Sequence, residues 1–343
     1  MKKYNVAILG ATGAVGQEFL NLIEERNFPF DNLKLLASSR SAGKIITFMG
    51  KDYTVEEATD DSFKDIDIAL FAGGSASTKF ASAAVKHGAV VIDNSSAFRM
   101  DPEVPLIVPE VNPEDIQKHK GIIANPNCST IIMAMALKPL YNQAKIKRIV
   151  VSTYQAVSGA GKEAIDELDN QVAAIVENKP VEATILPSAG LPKHYQIAFN
   201  VIPQIDAFLE DGYTKEEMKM VHETHKIFND YNMGITATTI RIPVYRSHSE
   251  SINIEFDEEV SVEEAKKLLA AFPGVIVQDN PQEQIYPMPL FTSNQNEVFV
   301  GRIRKDETVA HGLNLWVVGD QIRKGAALNA LQIAEYMIEH NVL

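Results

Sequence analysis

Cysteine is nearly absent. Cys128 is the only one in 343 residues, which excludes an intramolecular disulfide and any Cys-cluster zinc or iron–sulfur site. Long apolar runs are missing too: Ile131 to Leu137 stops at Lys138, well short of the roughly 18–20 apolar residues of a membrane-spanning helix, so no membrane association is expected. Positive charge is in deficit. Lys plus Arg number 32 against 45 Asp plus Glu, and a formal net charge of −13 repels a phosphate backbone, so no nucleic-acid partner is expected. There is no internal repeat and no low-complexity stretch. The opening Met1-Lys2-Lys3 imitates a signal peptide, but Gly10, Thr12, Gly13 and Gly16 interrupt the apolar run and Glu18 follows, which reads as a buried first strand. These absences place the protein in the cytoplasm. What is present is an ordinary globular composition, 45% hydrophobic and 22% charged, enough for two domains of roughly 150 residues.

In the first third, short apolar runs alternate with helical spacing, the grammar of βαβ units and a parallel sheet. Val6 to Leu9, Leu33 to Ala37, Asp67 to Ala72 and Ala89 to Ile92 read as strands covered on both faces. Between them Ala14 to Arg26 and Ala76 to His87 read as helices, the second stopped by Gly88. From about Lys145 the strands lengthen and partly alternate: Ile146 to Gln155, Ile235 to Tyr245, Ser251 to Phe256, Val298 to Arg304 and Asn314 to Val318. That predicts a mixed or antiparallel sheet in an α+β domain. Thr214 with Glu217 and Ser261 with Glu264 have capping-box spacing, and Gln321 to His340 reads as one final helix.

Gly10-Ala11-Thr12-Gly13-Ala14-Val15-Gly16 follows the first strand and opens the first helix. Glycines there let the backbone approach a pyrophosphate, which the free amides and dipole of the helix start stabilise; the alternative is a Gly-rich turn with no ligand. A dinucleotide site selective for NAD usually has Asp or Glu at the end of strand two. Here that region is Ser38-Ser39-Arg40-Ser41, with no carboxylate. Arg40 and Ser41 suit a 2′-phosphate and so point to NADP, unless Arg40 is merely a solvated loop charge.

Asn125-Pro126-Asn127-Cys128-Ser129-Thr130 ends an apolar strand, Gly121 to Ala124, and begins the helix Ile131 to Tyr141. A cysteine at a helix start has its thiolate stabilised, making it a nucleophile near neutral pH; elsewhere a lone cysteine is usually an inert small core residue. A thiol nucleophile needs an acid/base partner. His248, at the connection between two strands in Arg241 to His248, is the best of eight histidines. His222 and His225 share a helix but lack a third ligand and the H-E-x-x-H spacing of a metal site, and read as surface residues.

Taken together, these segments with Tyr154-Gln155-Ala156-Val157-Ser158-Gly159-Ala160-Gly161 and Gly319 to Ala327 resemble aspartate-semialdehyde dehydrogenase over essentially the whole chain. The resemblance implies NADP-dependent reductive dephosphorylation of 4-phospho-L-aspartate to L-aspartate 4-semialdehyde, on the way to lysine, threonine and methionine. Cys128 would form a thioester and His248 would move the proton of the thiohemiacetal. By the same resemblance Gln155 orients substrate, Arg241 clamps its α-carboxylate and Glu216 its ammonium, while Arg99 and Lys219 hold the phosphoryl group. Without it, Glu216 and Lys219 read as an i,i+3 surface ion pair. Gly10, Thr12, Gly13, Ala14, Val15, Arg40, Ser41, Ser158, Gly159 and Gln321 would contact the cofactor. No metal is implied. The implied architecture is α/β on the glyceraldehyde-3-phosphate dehydrogenase-like plan. A Rossmann-type domain of residues 1–127 plus 322–343 is followed by an α+β catalytic and dimerisation domain of residues 128–321, assembled as a homodimer.

Three rival readings are weaker. N-acetyl-γ-glutamyl-phosphate reductases have Gly rather than Asn before the cysteine, which Asn127 argues against. Glyceraldehyde-3-phosphate dehydrogenases have other residues around theirs. A nucleotide-sensing regulatory protein would have no use for Cys128, His248 and two substrate-clamping arginines together.

Overall fold

The computed structural model describes residues 2–343. Two compact units form: one runs from the N-terminus to Asn127 and resumes at Gly325–Leu343, the other is Cys128–Lys324. The return crossing thus falls a little beyond Gln321.

The first unit opens with β1 (Tyr4–Leu9), α1 (Ala14–Glu25) and β2 (Phe30–Ala37). A hairpin of β3 (Ile45–Phe48) and β4 (Lys51–Thr54), the short β5 (Glu56–Glu57), β6 (Ile68–Phe71), α2 (Ser75–Lys86), β7 (Val90–Asp93) and β8 (Ile122–Ala124) follow. The sheet order is β5-β2-β1-β6-β7-β8 and every pairing in it is parallel. Its central strands are buried on both faces, as their unbroken apolar content requires. Val6 and Ile8 join one core with Phe19, Leu22 and Ile23 of α1 and Leu331, Ala334 and Met337 of the last helix. Ala7 and Leu9 join the opposite core with Phe80, Ala81 and Ala84 of α2. The β3/β4 hairpin is not among the expected elements. Its turn residues, Met49 and Gly50, both have positive φ, the geometry of a tight primed turn, and Met at such a position carries no turn signal in sequence.

The second unit contains α3 (Cys128–Gln143), β9 (Ile146–Gln155), α4 (Lys162–Val176), α5 (Lys215–Phe228), β10 (Gly234–Arg241) and β11 (His248–Phe256). It continues with α6 (Val262–Ala271), β12 (Val275–Val277), α7 (Pro289–Thr292), β13 (Val298–Asp306) and β14 (Gly312–Gly319); α8 (Leu328–Glu339) then returns to the first unit. The sheet is mixed, in the order β10-β9-β11-β14-β13-β12, with β10/β9 and β12/β13 parallel and the rest antiparallel. Alternation is clear along it. Val151, Thr153, Gln155, Glu250, Ile252, Leu315 and Val317 are buried, whereas Ser152, Tyr154, Ser251, Asn253, Asn314 and Trp316 between them are only half-buried.

Differences from the sequence reading at three places bear on the site. β10 stops at Arg241 rather than Tyr245, since Pro243 has no N–H for a ladder. β11 starts at His248, so this residue belongs to the strand and not to the connection. The expected single helix from Gln321 is broken: Arg323–Ala327 form a π-helical turn before α8, behind the Asp320 carboxylate, which accepts the N–H groups of Ile322 and Arg323.

Candidate active site

In the first unit the glycine turn is built as the motif requires. Gly10 has φ +87°, and the N–H groups of Gly10 and Ala11 both go to Leu36 O, at 2.8 and 3.1 Å. A Cβ at Gly16 would stand 2.2 Å from Gly10 O, so only glycine lets α1 pack this closely on the turn. Gly13 caps α1 without a side-chain hydrogen bond, no acidic residue follows in the first turn, and Ala14 and Val15 open the helix half-exposed. Uncapped amides at a helix start suit the phosphates of a dinucleotide. Ser39–Ser41 form a short 3-10 turn directly after β2, with Arg40 exposed and Thr12 Oγ1 3.4 Å from Ser41 Oγ. One neighbour is invisible to motif reading: β5 places Glu56 and Glu57 in register with Leu36 and Ala37 of β2.

Arg99 also belongs to this unit. It is buried, and its Nε and Nη2 donate to Asn125 O and Asn94 O, both at 2.9 Å, so the guanidinium ties the segments that follow β7 and β8.

In the second unit Cys128 is the first residue of α3 and is half-buried. The sheet collects the other groups at one end because β9 and β10 run parallel with Gln155 opposite Arg241, while antiparallel β11 begins there with His248. Gln155 Nε2 donates to Thr153 Oγ1 at 3.2 Å and lies 3.4 Å from Glu216 Oε1. Arg241 is buried, its backbone pinned by two hydrogen bonds with Ile202 and its Nη1 donating to Ala156 O at 2.6 Å. Burial lowers the guanidinium pKa, and the negative charges of Glu216 and the Cys128 thiolate oppose that.

Glu216 and Lys219 are not an isolated surface pair. Lys219 Nζ bridges Glu216 Oε2 at 3.0 Å and Asp206 Oδ2 at 3.1 Å. Burial works against the ammonium, but the two carboxylates outweigh it and raise the pKa. Burial first, and then Arg241, hold His248 well below the usual histidine range. Gly159 sits over both: an added Cβ would be 3.0 Å from Arg241 Nη1 and 3.3 Å from His248 Nε2. Gln321 joins its loops, donating to Ser158 Oγ and accepting the Ser247 N–H at 2.8 Å.

Sequence reasoning missed Asp206, Thr153, Ala156 and Asp320. The last accepts from Arg246, Asn294, Ile322 and Arg323, and so fixes the approach to His248. No motif marks any of them, because the partners that tie Asp206, Ala156 and Asp320 to the site, which are Lys219, Arg241, His248 and Arg246, lie 13 to 92 positions away. His225 bonds Met233 O at 2.7 Å. Among the described residues no group of three or more His, Cys, Asp or Glu could hold a metal ion.

The NAD-binding domain family of the semialdehyde dehydrogenases matches residues 5–119 and their dimerisation domain family residues 137–324. The Aquifex aeolicus aspartate-semialdehyde dehydrogenase is 59% identical, over 99% of both chains. The Vibrio cholerae aspartate semialdehyde dehydrogenase II complexed with ASA is 46% identical, with 99% of each chain covered and a TM-score of 0.93. The Candida albicans enzyme with NADP is 25% identical, with both chains fully covered and a TM-score of 0.75. The chain belongs to the aspartate-semialdehyde dehydrogenase family, whose members are oxidoreductases of amino-acid biosynthesis.

Proposed function

We propose that the protein interconverts 4-phospho-L-aspartate and L-aspartate 4-semialdehyde with NADP as cofactor, through a thioester on Cys128. One observation carries this reading: the only thiol of the chain starts a helix in the unit where Arg241, Glu216, Gln155 and His248 converge. Cys128 attacks the acyl phosphate, the C–O bond to phosphate breaks, and a thioester remains. Bound NADPH supplies a hydride to that carbon. Arg241, whose buried Nε has no partner among the described residues, would take the α-carboxylate in two-pronged fashion. Glu216 takes the ammonium, Gln155 orients the carbonyl, and His248 serves its oxygen. Lys219 and Arg99 receive the phosphoryl group. Ser158, Gly159 and Gln321 border the nicotinamide, and the Gly10 to Val15 turn holds the pyrophosphate. Arg40 and Ser41 favour the 2′-phosphate.

The Vibrio relative was solved with ASA and the Candida relative with NADP, which supports both choices. The dimerisation-family match supports a homodimer, and the half-buried sheet face with Tyr154, Ser251 and Trp316, beside exposed Leu290 and Phe291, offers a surface for it. No helix among the described residues is long and apolar enough to cross a membrane. A catalytic thiol must stay reduced, which favours the cytoplasm. The test is spectrophotometric: NADPH should form from aspartate semialdehyde, NADP and phosphate, with arsenate able to replace phosphate. Absence of that signal from the folded protein overturns the reading.

A further inference from the structure

Three adjacent parallel strands of the first unit, β6, β7 and β8, end in register, with Phe71 opposite Asp93 and Asp93 opposite Ala124. The first residues beyond two of these ends are asparagines. Asn94 and Asn125 continue the ladder by one rung, their N–H groups donating to Phe71 O at 3.1 Å and to Asp93 O at 2.8 Å. Their side chains then link the strand ends in one direction. Asn329 Nδ2, from the last helix α8, donates to Asn125 Oδ1 at 2.7 Å, Asn125 Nδ2 donates to Asn94 Oδ1 at 2.9 Å, and Asn94 Nδ2 donates to Phe71 O at 2.8 Å. Asn329 is fully buried and also donates to Ile107 O at 2.9 Å; Asn125 is buried and Asn94 half-buried.

The same two residues supply backbone carbonyls to Arg99: its Nη2 donates to Asn94 O and its Nε to Asn125 O, each at 2.9 Å. The direction of the guanidinium fork therefore follows the spacing and tilt of those two peptides, and the side-chain relay fixes them to one another. We propose that Asn94, Asn125 and Asn329 are positioning residues for the phosphate subsite. Their relay holds the two acceptors that aim Arg99, and Asn329 makes α8, the last helix of the chain, part of that subsite. This rests on the reading of Arg99 given above.

An amide suits this task because it carries a donor and an acceptor on one short planar group, so each asparagine can accept from one neighbour and donate to the next. Such bonds reinforce one another when they run the same way in a site shielded from water. Removing one link leaves the groups on either side of it without that partner, and the strand ends are less firmly joined. The carboxyl ends of a parallel sheet are where folds of this kind receive ligands. An arginine has many rotamers, and one already held by two bonds loses little further freedom when an anion arrives. The bland alternative is a relay that only satisfies buried amides. Such a relay would contribute to stability and have no bearing on phosphate.

The test is steady-state kinetics of the full-length protein in the oxidative direction, with phosphate and aldehyde varied independently. Asn329→Ala should raise the KM for phosphate at least about fivefold and leave the KM for the aldehyde within about twofold of wild type. Met337→Ala opens a cavity in the core under the same helix, and should lower the melting temperature without moving the phosphate KM. In Arg99→Ala/Asn329→Ala the KM for phosphate should equal that of Arg99→Ala alone, because a positioning residue adds nothing once its target is gone. An unchanged phosphate KM in Asn329→Ala, the same rise in Met337→Ala, or effects that multiply in the double variant overturn the inference. Asn94→Ala keeps the backbone carbonyl and breaks the relay at its half-buried end; it carries the same expectation and the same refutation should Asn329→Ala fail to fold. If Arg99→Ala itself leaves the phosphate KM at the wild-type value, the reading of Arg99 falls and the relay's role with it. If Arg99→Ala raises that KM while the asparagine variants do not, only the inference falls.

Discussion

Glu250 is the side chain whose burial is hardest to account for by packing. It is fully buried on the central strand β11, and among the described residues neither carboxyl oxygen has a hydrogen-bond partner. Burial pushes its pKa well above the ordinary 4.5, so the native state keeps a proton that the unfolded chain gives up. Stability should therefore fall as pH rises from about 4.5, by about 1.4 kcal/mol per pH unit until the native carboxyl itself ionises. Glu250→Gln keeps the shape and removes the proton. Its melting temperature should exceed that of the wild type at about pH 8, with the gap closing toward about pH 4; a gap independent of pH would mean that Glu250 is ionised in the native protein. Arg40 offers a second residue-level test. Arg40→Ala should lower the ratio of kcat/KM for NADP over NAD, since a charge-assisted contact to the 2′-phosphate contributes about 1.5–3 kcal/mol. An unchanged ratio removes Arg40 from the site. Cys128 could be read from sequence because it is the only thiol and stands at a helix start. Glu250 and Ala156 could not, since their meaning lies in what faces them across the sheet.

The site's precision at the level of elements comes from α5 and its cap. Thr214 Oγ1 accepts the Glu217 N–H at 3.2 Å and Glu217 Oε2 accepts the Thr214 N–H at 2.7 Å, while Glu217 Oε1 takes the Thr239 N–H of β10 at 2.9 Å. The capping box thus ties the start of the helix carrying Glu216 and Lys219 to the strand carrying Arg241. Removing the hydroxyl costs about 1 kcal/mol in a typical cap. Thr214→Ala should lower the melting temperature modestly and raise the KM for the aldehyde more than it lowers kcat; steady-state kinetics with an unchanged KM would show that the cap does not position Glu216. This element was legible, because a capping box is a local code. So was the parallel sheet, from apolar runs such as Ile68–Phe71. The end of β10 and the break after Gln321 were not: one depends on how Ile242 and Pro243 leave the sheet, the other on the buried Asp320 carboxylate.

The two arginines proposed to bind anions belong to different units of the molecule, Arg99 to the first and Arg241 to the second. Their settings differ as well: two arms of Arg99 bond carbonyls beyond β7 and β8, whereas Arg241 ends β10 with its Nε unpaired among the described residues. A chain of net charge −13 repels anionic substrates at long range and needs such fixed cations locally. If Arg241 holds the α-carboxylate and Arg99 the phosphoryl group, the kinetic signatures must separate, because phosphate is an independent substrate in the oxidative direction. Arg99→Ala should raise the KM for phosphate far more than that for the aldehyde. Arg241→Ala should impair aldehyde use and, through lost alignment at Cys128, also kcat. Lysine should rescue either only in part, since an ammonium lacks the two-pronged guanidinium contact. Because Arg99 also braces strand ends, Arg99→Lys must be compared for melting temperature: a KM effect without a stability change belongs to the phosphate, whereas parallel losses belong to the fold. Varying phosphate and aldehyde independently decides between these outcomes, and one shared kinetic pattern for both arginines would mean that a single anion site serves both groups.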